Sequence, residues 1–319
     1  MKVSHARRAD GSHARRGLTA FPLFLLSLAA CLFPLPEPAR AQKTDDEEVV
    51  RINSDMVVLN VTVTDGQGLY VHKLSRPDFK IFEDGREQRI SLFSVEETPF
   101  AAAILLDTSG SMENRLTLAR AAAIRFLEGL REEDVASVYH FGTDVEQLQD
   151  FSPGRDLPAV AYDLNSKGMT ALNDAVLRAA KDLAQRPEKR RAIIVLSDGA
   201  DTKSAATSEK ALNAALSAGA TIYTVDMTDP ATNGAQKMMG ASALKNFAAK
   251  SGGRYVSKPG GAALDEAFRG ILEELSNQYT LGYRPDNTAR DGRWRAVQLK
   301  LSRPGLNART RNGYRAPKS

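Results

Sequence analysis

The stretch FAAAILLDTSGS, residues 100–111, decides the fold that this sequence predicts. The run up to Leu106 is apolar without interruption and then ends in a polar loop. A strand with one face in water alternates apolar and polar residues, so an unbroken run indicates a parallel strand buried on both faces. Ala192 to Leu196 is a second run of this kind, and Ser197-Asp198-Gly199 follows it.

Helical and strand patterns alternate around these two runs. We predict helices over residues 116–130, 171–185, 208–217, 243–250 and 264–275, and further strands over 135–141, 220–225 and 255–256. Strands that alternate with helices imply right-handed crossovers and a mostly parallel sheet covered on both faces. The expected fold class is therefore α/β, a doubly wound domain over residues 98–278.

The segments on either side of this domain have the period-two pattern of antiparallel strands. Residues 57–64 alternate apolar and polar side chains, Asp84-Gly85 predicts a hairpin turn with a return strand through Ile90, and residues 279–283, 297–302 and 309–314 read as strands. A short β tail is not stable alone in water. We therefore expect it to complete the N-terminal sheet, which would make the α/β domain an insertion in a β module. The alternative is a separate β extension packed on the α/β domain.

The N-terminus predicts export. Basic residues precede an apolar stretch over residues 18–35, and Ala39-Arg40-Ala41 is a small-x-small cleavage signal. In a second interpretation, Leu28-Ala29-Ala30-Cys31 resembles the bacterial lipobox, and a lipid on Cys31 would be the protein's only anchor to a membrane. Cys31 is the only cysteine, so either route leaves a chain without disulfides in the periplasm, in the cell envelope or outside the cell.

The predicted organisation has five parts. They are a signal peptide (1–41), a linker (42–48), a β-rich N-terminal segment (49–97), the α/β domain (98–278) and a C-terminal β segment (279–316).

The charge balance argues against nucleic acid as a partner. Six of the 43 basic residues and two of the 39 acidic residues lie in residues 1–41, so the rest of the chain is neutral overall. A neutral chain has no general attraction to a phosphate backbone.

Oxygen-bearing side chains follow the predicted strands at three places. Asp107, Ser109 and Ser111 follow the first strand, Thr170 stands at the entry to a helix, and Asp198 follows the strand over residues 192–196. Ligands of open α/β sheets bind beyond the carboxyl ends of the strands. Side chains two residues apart in an extended loop point the same way, so the first three can converge. One carboxylate and two hydroxyls suit a hard divalent cation such as Mg²⁺, Mn²⁺ or Ca²⁺.

These five residues and their order resemble the metal-ion-dependent adhesion site of von Willebrand factor type A domains. The family pattern is Asp-x-Ser-x-Ser, then a distant Thr, then an Asp after a later strand, and all five positions match. The resemblance implies one divalent cation, Mg²⁺ in preference to Ca²⁺ or Mn²⁺. It also implies direct contact by both serines, and an open position for an Asp or Glu carboxylate of a partner protein. We therefore expect an exported, non-enzymatic, adhesion-type protein-binding module.

Other interpretations stay open at this point. Each of the three segments can be an ordinary helix cap or turn. The metal can be purely structural in a cell-envelope component, or it can serve a hydrolase. Outside residues 1–41 the chain has two histidines, His72 and His140, which disfavours a Ser-His-Asp triad or a histidine-ligated zinc site.

Overall fold

The computed structural model describes residues 56–95, 98–229, 231–257 and 260–318. The predicted signal peptide, including Cys31 and the Ala41 cleavage position, and the predicted linker lie outside these residues. Among the helices that the structure describes, none combines the length and the apolar character needed to cross a membrane.

The secondary structure alternates along the chain much as the sequence pattern does. The strands are β1 (Val57–Thr64), β2 (Phe79–Glu83), β3 (Arg86–Gln88), β4 (Ile90–Ser94), β5 (Phe100–Asp107), β6 (Val135–Phe141), β7 (Val145–Ser152), β8 (Arg190–Ser197), β9 (Ala220–Asp226), β10 (Tyr255–Val256), β11 (Tyr279–Tyr283), β12 (Trp294–Leu301), β13 (Asn307–Arg309) and β14 (Gly313–Arg315). The α-helices are α1 (Leu116–Glu128), α2 (Leu172–Ala184), α3 (Ser208–Ser217), α4 (Gly234–Ser251) and α5 (Ala262–Ser276).

A six-stranded sheet in the order β10-β9-β8-β5-β6-β7 forms the centre of the α/β fold. All of its pairings are parallel except that of β6 with β7. Helices α1 and α5 pack on one face, and α2, α3 and α4 pack on the other. The expected fold class, a mostly parallel doubly wound α/β sheet with added antiparallel β structure, is confirmed.

The apolar run of β5 is divided between the two faces of this sheet. Phe100, Ala102, Ile104 and Leu106 belong to the core under α1 and α5. The intervening residues Ala101, Ala103 and Leu105 belong to the core under α2, α3 and α4. Because both faces are covered by helices, every position from Phe100 to Leu106 is apolar, which explains the unbroken run in the sequence.

The strand order reverses direction beside β5. The chain passes from β5 to β6 on one side, and later from β8 to β9 on the other side, while β5 and β8 are direct neighbours. The two crossovers therefore leave a crevice between the carboxyl ends of β5 and β8, the usual ligand position in such sheets. Asp107 and Ser197 are the last residues of these two strands.

Strands from both ends of the chain share two small antiparallel sheets. Their orders are β13-β1-β11-β4 and β14-β12-β2-β3, so the C-terminal strands pair with N-terminal ones in each sheet. Apolar side chains from both sheets form one core that includes Leu59, Ile81, Leu281 and Val297. The division of the chain into the five predicted parts stays a prediction.

The flanking β segments differ from the sequence-based expectation at two places. The Asp84-Gly85 turn leads only into β3, whereas Ile90 begins a new strand that pairs with β11 in the other sheet. The single last strand expected over residues 309–314 is two strands, β13 and β14, which lie in different sheets. In both places the alternation of apolar and polar residues continues while the chain passes from one sheet to the other. The alternation predicts a strand but does not show which strand it pairs with.

Two elements of the α/β domain were also missed or shortened by the sequence analysis. Strand β7 is an antiparallel edge strand, and all of its side chains are partly buried or exposed, so it lacks an apolar run. Helix α4 begins well before the predicted residue 243. Its N-cap is Asn233, whose side-chain oxygen accepts hydrogen bonds from the backbone N–H groups of Ala235 and Gln236. Exposed Met238 and Met239 in the added turns hide the helical period.

We predict that Leu281→Ala lowers the free energy of unfolding by about 3 kcal/mol. Leu281 is fully buried in β11, which pairs with β1 on one side and β4 on the other. Urea denaturation followed by circular dichroism measures the change. Gln298→Ala, at an exposed position of β12, is the matched control and should shift the value by no more than about 0.5 kcal/mol. Equal midpoints for the two variants would show that β11 is not a core strand.

Candidate metal site

The Asp107 side chain is fully buried at the end of β5. Its Oδ1 accepts the Ser109 backbone N–H at 2.9 Å, and its Oδ2 accepts the Ser197 hydroxyl at 2.6 Å. Burial raises the pKa of Asp107 to about 7, the charge of Asp198 adds to the rise, and the hydrogen bonds from Ser109 and Ser197 act against it. The carboxylate is thus fixed in position at the switch point, where burial destabilises its charged form.

The two serine hydroxyls converge beside this carboxylate. Ser109 Oγ lies 3.2 Å from Ser111 Oγ. Ser109 is buried, whereas Ser111 is exposed, so the pair faces outward from the sheet. Asp107, Ser109 and Ser111 therefore lie together, as their spacing suggested.

The loop that carries Thr170 is bonded to the loop after β5. The backbone N–H of Gly110 donates to the carbonyl oxygen of Gly168 at 3.3 Å. The backbone N–H of Lys167 donates to the carbonyl oxygen of Thr108 at 3.0 Å. Gly168 has a φ of +81°, the left-handed region that favours glycine. These bonds bring Thr170, which is buried, to the same end of the sheet as the serines.

The loop that carries Asp198 is bonded in turn to the Thr170 loop. The backbone N–H groups of Thr202 and Lys203 both donate to the Thr170 carbonyl oxygen, at 2.9 and 3.0 Å, and the Thr202 hydroxyl accepts the Thr170 N–H at 3.0 Å. Asp198 is partly exposed, and its Oδ1 accepts the Ala200 N–H at 3.0 Å. The structure thus places all three loops side by side, although the Asp198 carboxylate is bonded within its own loop.

Helix capping does not account for the hydroxyl groups. Helix α1 has Arg115 at its N-cap, and α2 has Ala171, so Thr170 lies one residue before the capping position. Ser109 precedes a short 3₁₀ helix, but its side chain makes no capping hydrogen bond. In the described part of the chain, the Thr170 hydroxyl has no hydrogen-bond partner. The Thr170 hydroxyl is therefore available to another ligand.

The donor set fits a hard divalent cation. Within residues 56–95, 98–229, 231–257 and 260–318, no three His, Cys, Asp or Glu side chains cluster in a way that could hold a metal ion. The five predicted residues offer instead two carboxylates and three hydroxyls, the oxygen chemistry that Mg²⁺, Mn²⁺ and Ca²⁺ accept. A cation beside Asp107 would also stabilise the charged form that burial disfavours.

Ser197 is a site residue that the sequence analysis did not single out. Its hydroxyl donates to Asp107 and accepts the backbone N–H of Gly199 at 2.9 Å, so it joins the ends of β5 and β8. The signal in the sequence is its place immediately before Asp198, at the end of an apolar run. His140 contacts Thr108 Oγ1 through Nδ1 at 3.3 Å and Glu146 through Nε2 at 3.3 Å, so its bonds go to neither serine.

Residues 102–200 match the family model of the von Willebrand factor type A domain. This range includes most of β5, all of β8 and every residue of the candidate site. The chain therefore contains a von Willebrand factor type A domain. A search of curated proteins gives no match.

Several solved structures of bacterial proteins are similar to this chain at low identity. The PilB minor pilin from Streptococcus sanguinis is 16% identical over 57% of this chain and 62% of that chain, with a TM-score of 0.42. The corresponding domain of the type V pili tip protein Mfa5 from Porphyromonas gingivalis is 15% identical over 56% of this chain and 95% of that chain, with a TM-score of 0.46. A von Willebrand factor type A protein from Catenulispora acidiphila is 12% identical over 84% and 75%, with a TM-score of 0.44. The present chain spans less than two thirds of the minor pilin's length.

We predict that Gly240→Ala displaces the Asp198 loop and destabilises the protein. A Cβ atom at Gly240 would lie 2.0 Å from the Asp198 carbonyl oxygen, so helix α4 or the loop must move. Such overpacking costs about 1 to 3 kcal/mol, which a thermal melt detects as a lower Tm. Gly234→Ala is the control in the same helix, because nothing lies within 4 Å of its Cβ position. If both variants melt together, α4 does not constrain the loop.

Proposed function

We propose that this protein is an exported, non-enzymatic protein-binding module whose binding depends on one divalent cation, with Mg²⁺ the preferred ion. Asp107, Ser109, Ser111, Thr170 and Asp198 would hold the ion directly or through water. An Asp or Glu carboxylate of the partner would complete its shell. The observation that carries the proposal is the convergence of two serine hydroxyls, 3.2 Å apart, beside a buried carboxylate at the switch point.

The charge of the donor set supports an open site. The charge of two carboxylates would equal that of a divalent ion without exceeding it, and the other donors are neutral hydroxyls. When bound, the cation would supply a strong electrostatic attraction for an acidic group of the partner. Ser111 is exposed, so a carboxylate from outside can approach this side of the site. The chain's own residues would fix the position of the ion that this carboxylate binds.

We predict that Asp107→Ala abolishes Mg²⁺ binding, measured by titration calorimetry. The variant removes the buried carboxylate that Ser109 and Ser197 hold in place. Ser111→Ala, at an exposed position, should weaken binding about tenfold or more, which corresponds to about 1.4 kcal/mol. Asp144→Ala is the control, because it removes an exposed carboxylate from a neighbouring loop. Circular dichroism should show the native fold in all three, and an unchanged affinity in Asp107→Ala and Ser111→Ala would refute the proposed metal site.

We also predict that capture of a protein partner requires both the cation and Asp107. The tagged protein is incubated with cell-envelope extract in Mg²⁺ or in EDTA, and Asp107→Ala and Asp144→Ala are treated in parallel. The same partner should be retained by the unmodified protein and by Asp144→Ala in Mg²⁺, and lost in EDTA or with Asp107→Ala.

A purely structural metal gives a different result in the same experiment. Mg²⁺ would then raise the Tm of the protein, as any ligand of the native state does, without changing what the protein retains. Capture that is indifferent to EDTA and to Asp107→Ala would therefore favour the structural cell-envelope alternative.

A further inference from the structure

A second concave surface lies at the end of the α/β domain opposite the candidate metal site. It is a groove of about 420 Å³ beside Leu216 and Ser217, at the carboxyl end of α3. The other end of α3 begins after the segment whose Ala206 N–H is bonded to Asp174 in the first turn of α2, near Thr170. The groove and the metal site are therefore separated by the length of α3.

Arginine side chains supply the charge of this surface. We call it the arginine groove and define it by Arg284, Arg311 and Arg315, which line it together with the apolar residues Met56, Pro285 and Pro317. Arg290 lines it as well. No Asp or Glu is among the described residues that line the groove. Its lining thus combines several guanidinium groups with an apolar wall.

The positive charge of the arginine groove is only partly balanced by the protein. Arg315 forms an ion pair with Glu209, a largely exposed residue of α3. Within the described part of the chain, neither Arg284 nor Arg311 forms an ion pair with a carboxylate. An anion in the groove would therefore meet uncompensated positive charge.

Arg311 is the clearest example of positive charge in the groove that no carboxylate balances. One of its terminal nitrogens donates to the Leu216 carbonyl oxygen and the other to Val58 at 2.8 Å, while its Nε is buried with no hydrogen-bond partner. Burial lowers the pKa of Arg311, because desolvation destabilises the charged form. An arginine stays charged at neutral pH nonetheless, so a nearby anion would offset the cost of its burial.

We propose that the arginine groove binds a phosphate group carried on an apolar chain. A phosphate ester carries a charge of about −1.5 to −2 at neutral pH, which matches more than one guanidinium, and the planar fork of arginine suits its oxygens. The groove volume lies in the range of small-molecule pockets, about 300 to 1,000 Å³, so inorganic phosphate alone would leave it largely empty. Met56, Pro285 and Pro317 would contact the apolar part. The ester can be a phospholipid headgroup or a soluble molecule.

Calorimetric titration with hexyl phosphate tests this proposal in the presence of EDTA. We expect hexyl phosphate to bind at least tenfold more tightly than inorganic phosphate, hexanoate or hexanol. Arg284→Gln, at an exposed position, should weaken binding about tenfold, and Arg315→Gln should also weaken it. Arg155→Gln is the matched control, because it removes the same charge from an exposed residue that does not line the groove. It should leave binding unchanged.

Sedimentation with vesicles separates the two sources of the phosphate. Binding to phosphatidic acid vesicles but not to phosphatidylcholine vesicles, lost in Arg284→Gln, would identify a lipid headgroup, whereas binding of hexyl phosphate alone would identify a soluble ester. The proposal is overturned if neither ligand binds, if hexanoate binds as tightly as hexyl phosphate, or if Arg284→Gln and Arg315→Gln behave like the control.

Discussion

The parallel pairing of β5 with β8 is the constraint on which the candidate site depends. Both faces of β5 are packed under helices, and a slip of one residue would move every side chain to the opposite core. The register is therefore fixed, with Leu106 opposite Leu196. This register makes the next residues, Asp107 and Ser197, neighbours, and they form a hydrogen bond of 2.6 Å. The position of the carboxylate thus follows from core packing.

The sequence predicted what depends on burial and missed what depends on tertiary contacts. Strands β5 and β8 were predicted with bounds within two residues of the observed ones, because apolar runs between polar ends are the direct consequence of two covered faces. The convergence of Asp107, Ser109 and Ser111 was also predicted, since it depends on a spacing within one loop. The bond from Ser197 and the bonds between the Gly168 and Gly110 segments join distant parts of the chain, so no local pattern records them. Edge strand β7 has little apolar surface to bury and left no signal.

The flanking strands are connected to the α/β domain through buried polar groups. Glu274 of α5 accepts the Tyr223 hydroxyl at 2.9 Å and the Thr62 hydroxyl at 3.1 Å, and it forms an ion pair with Arg309 of β13. These residues belong to β9, β1, α5 and β13, so a single carboxylate bonds the central sheet to the antiparallel strands. Such a network is costly to break, because removing one partner leaves a buried charge without compensation. It explains how flanks from opposite ends of the chain hold one arrangement.

The two proposed sites lie at opposite ends of α3. This helix is therefore the element through which binding at one site would change affinity at the other. Coupling between distant sites requires an element with two arrangements that both ligands bias differently. Helix α3 is held at its start by Thr207, whose side chain accepts the Lys210 N–H, and near its end by Arg311, which bonds to the Leu216 carbonyl oxygen. Its apolar face is buried against α2 and the sheet. The structure shows one closely packed arrangement of α3. The two sites are therefore expected to bind their ligands independently, and a cation at one end should leave affinity for phosphate at the other unchanged.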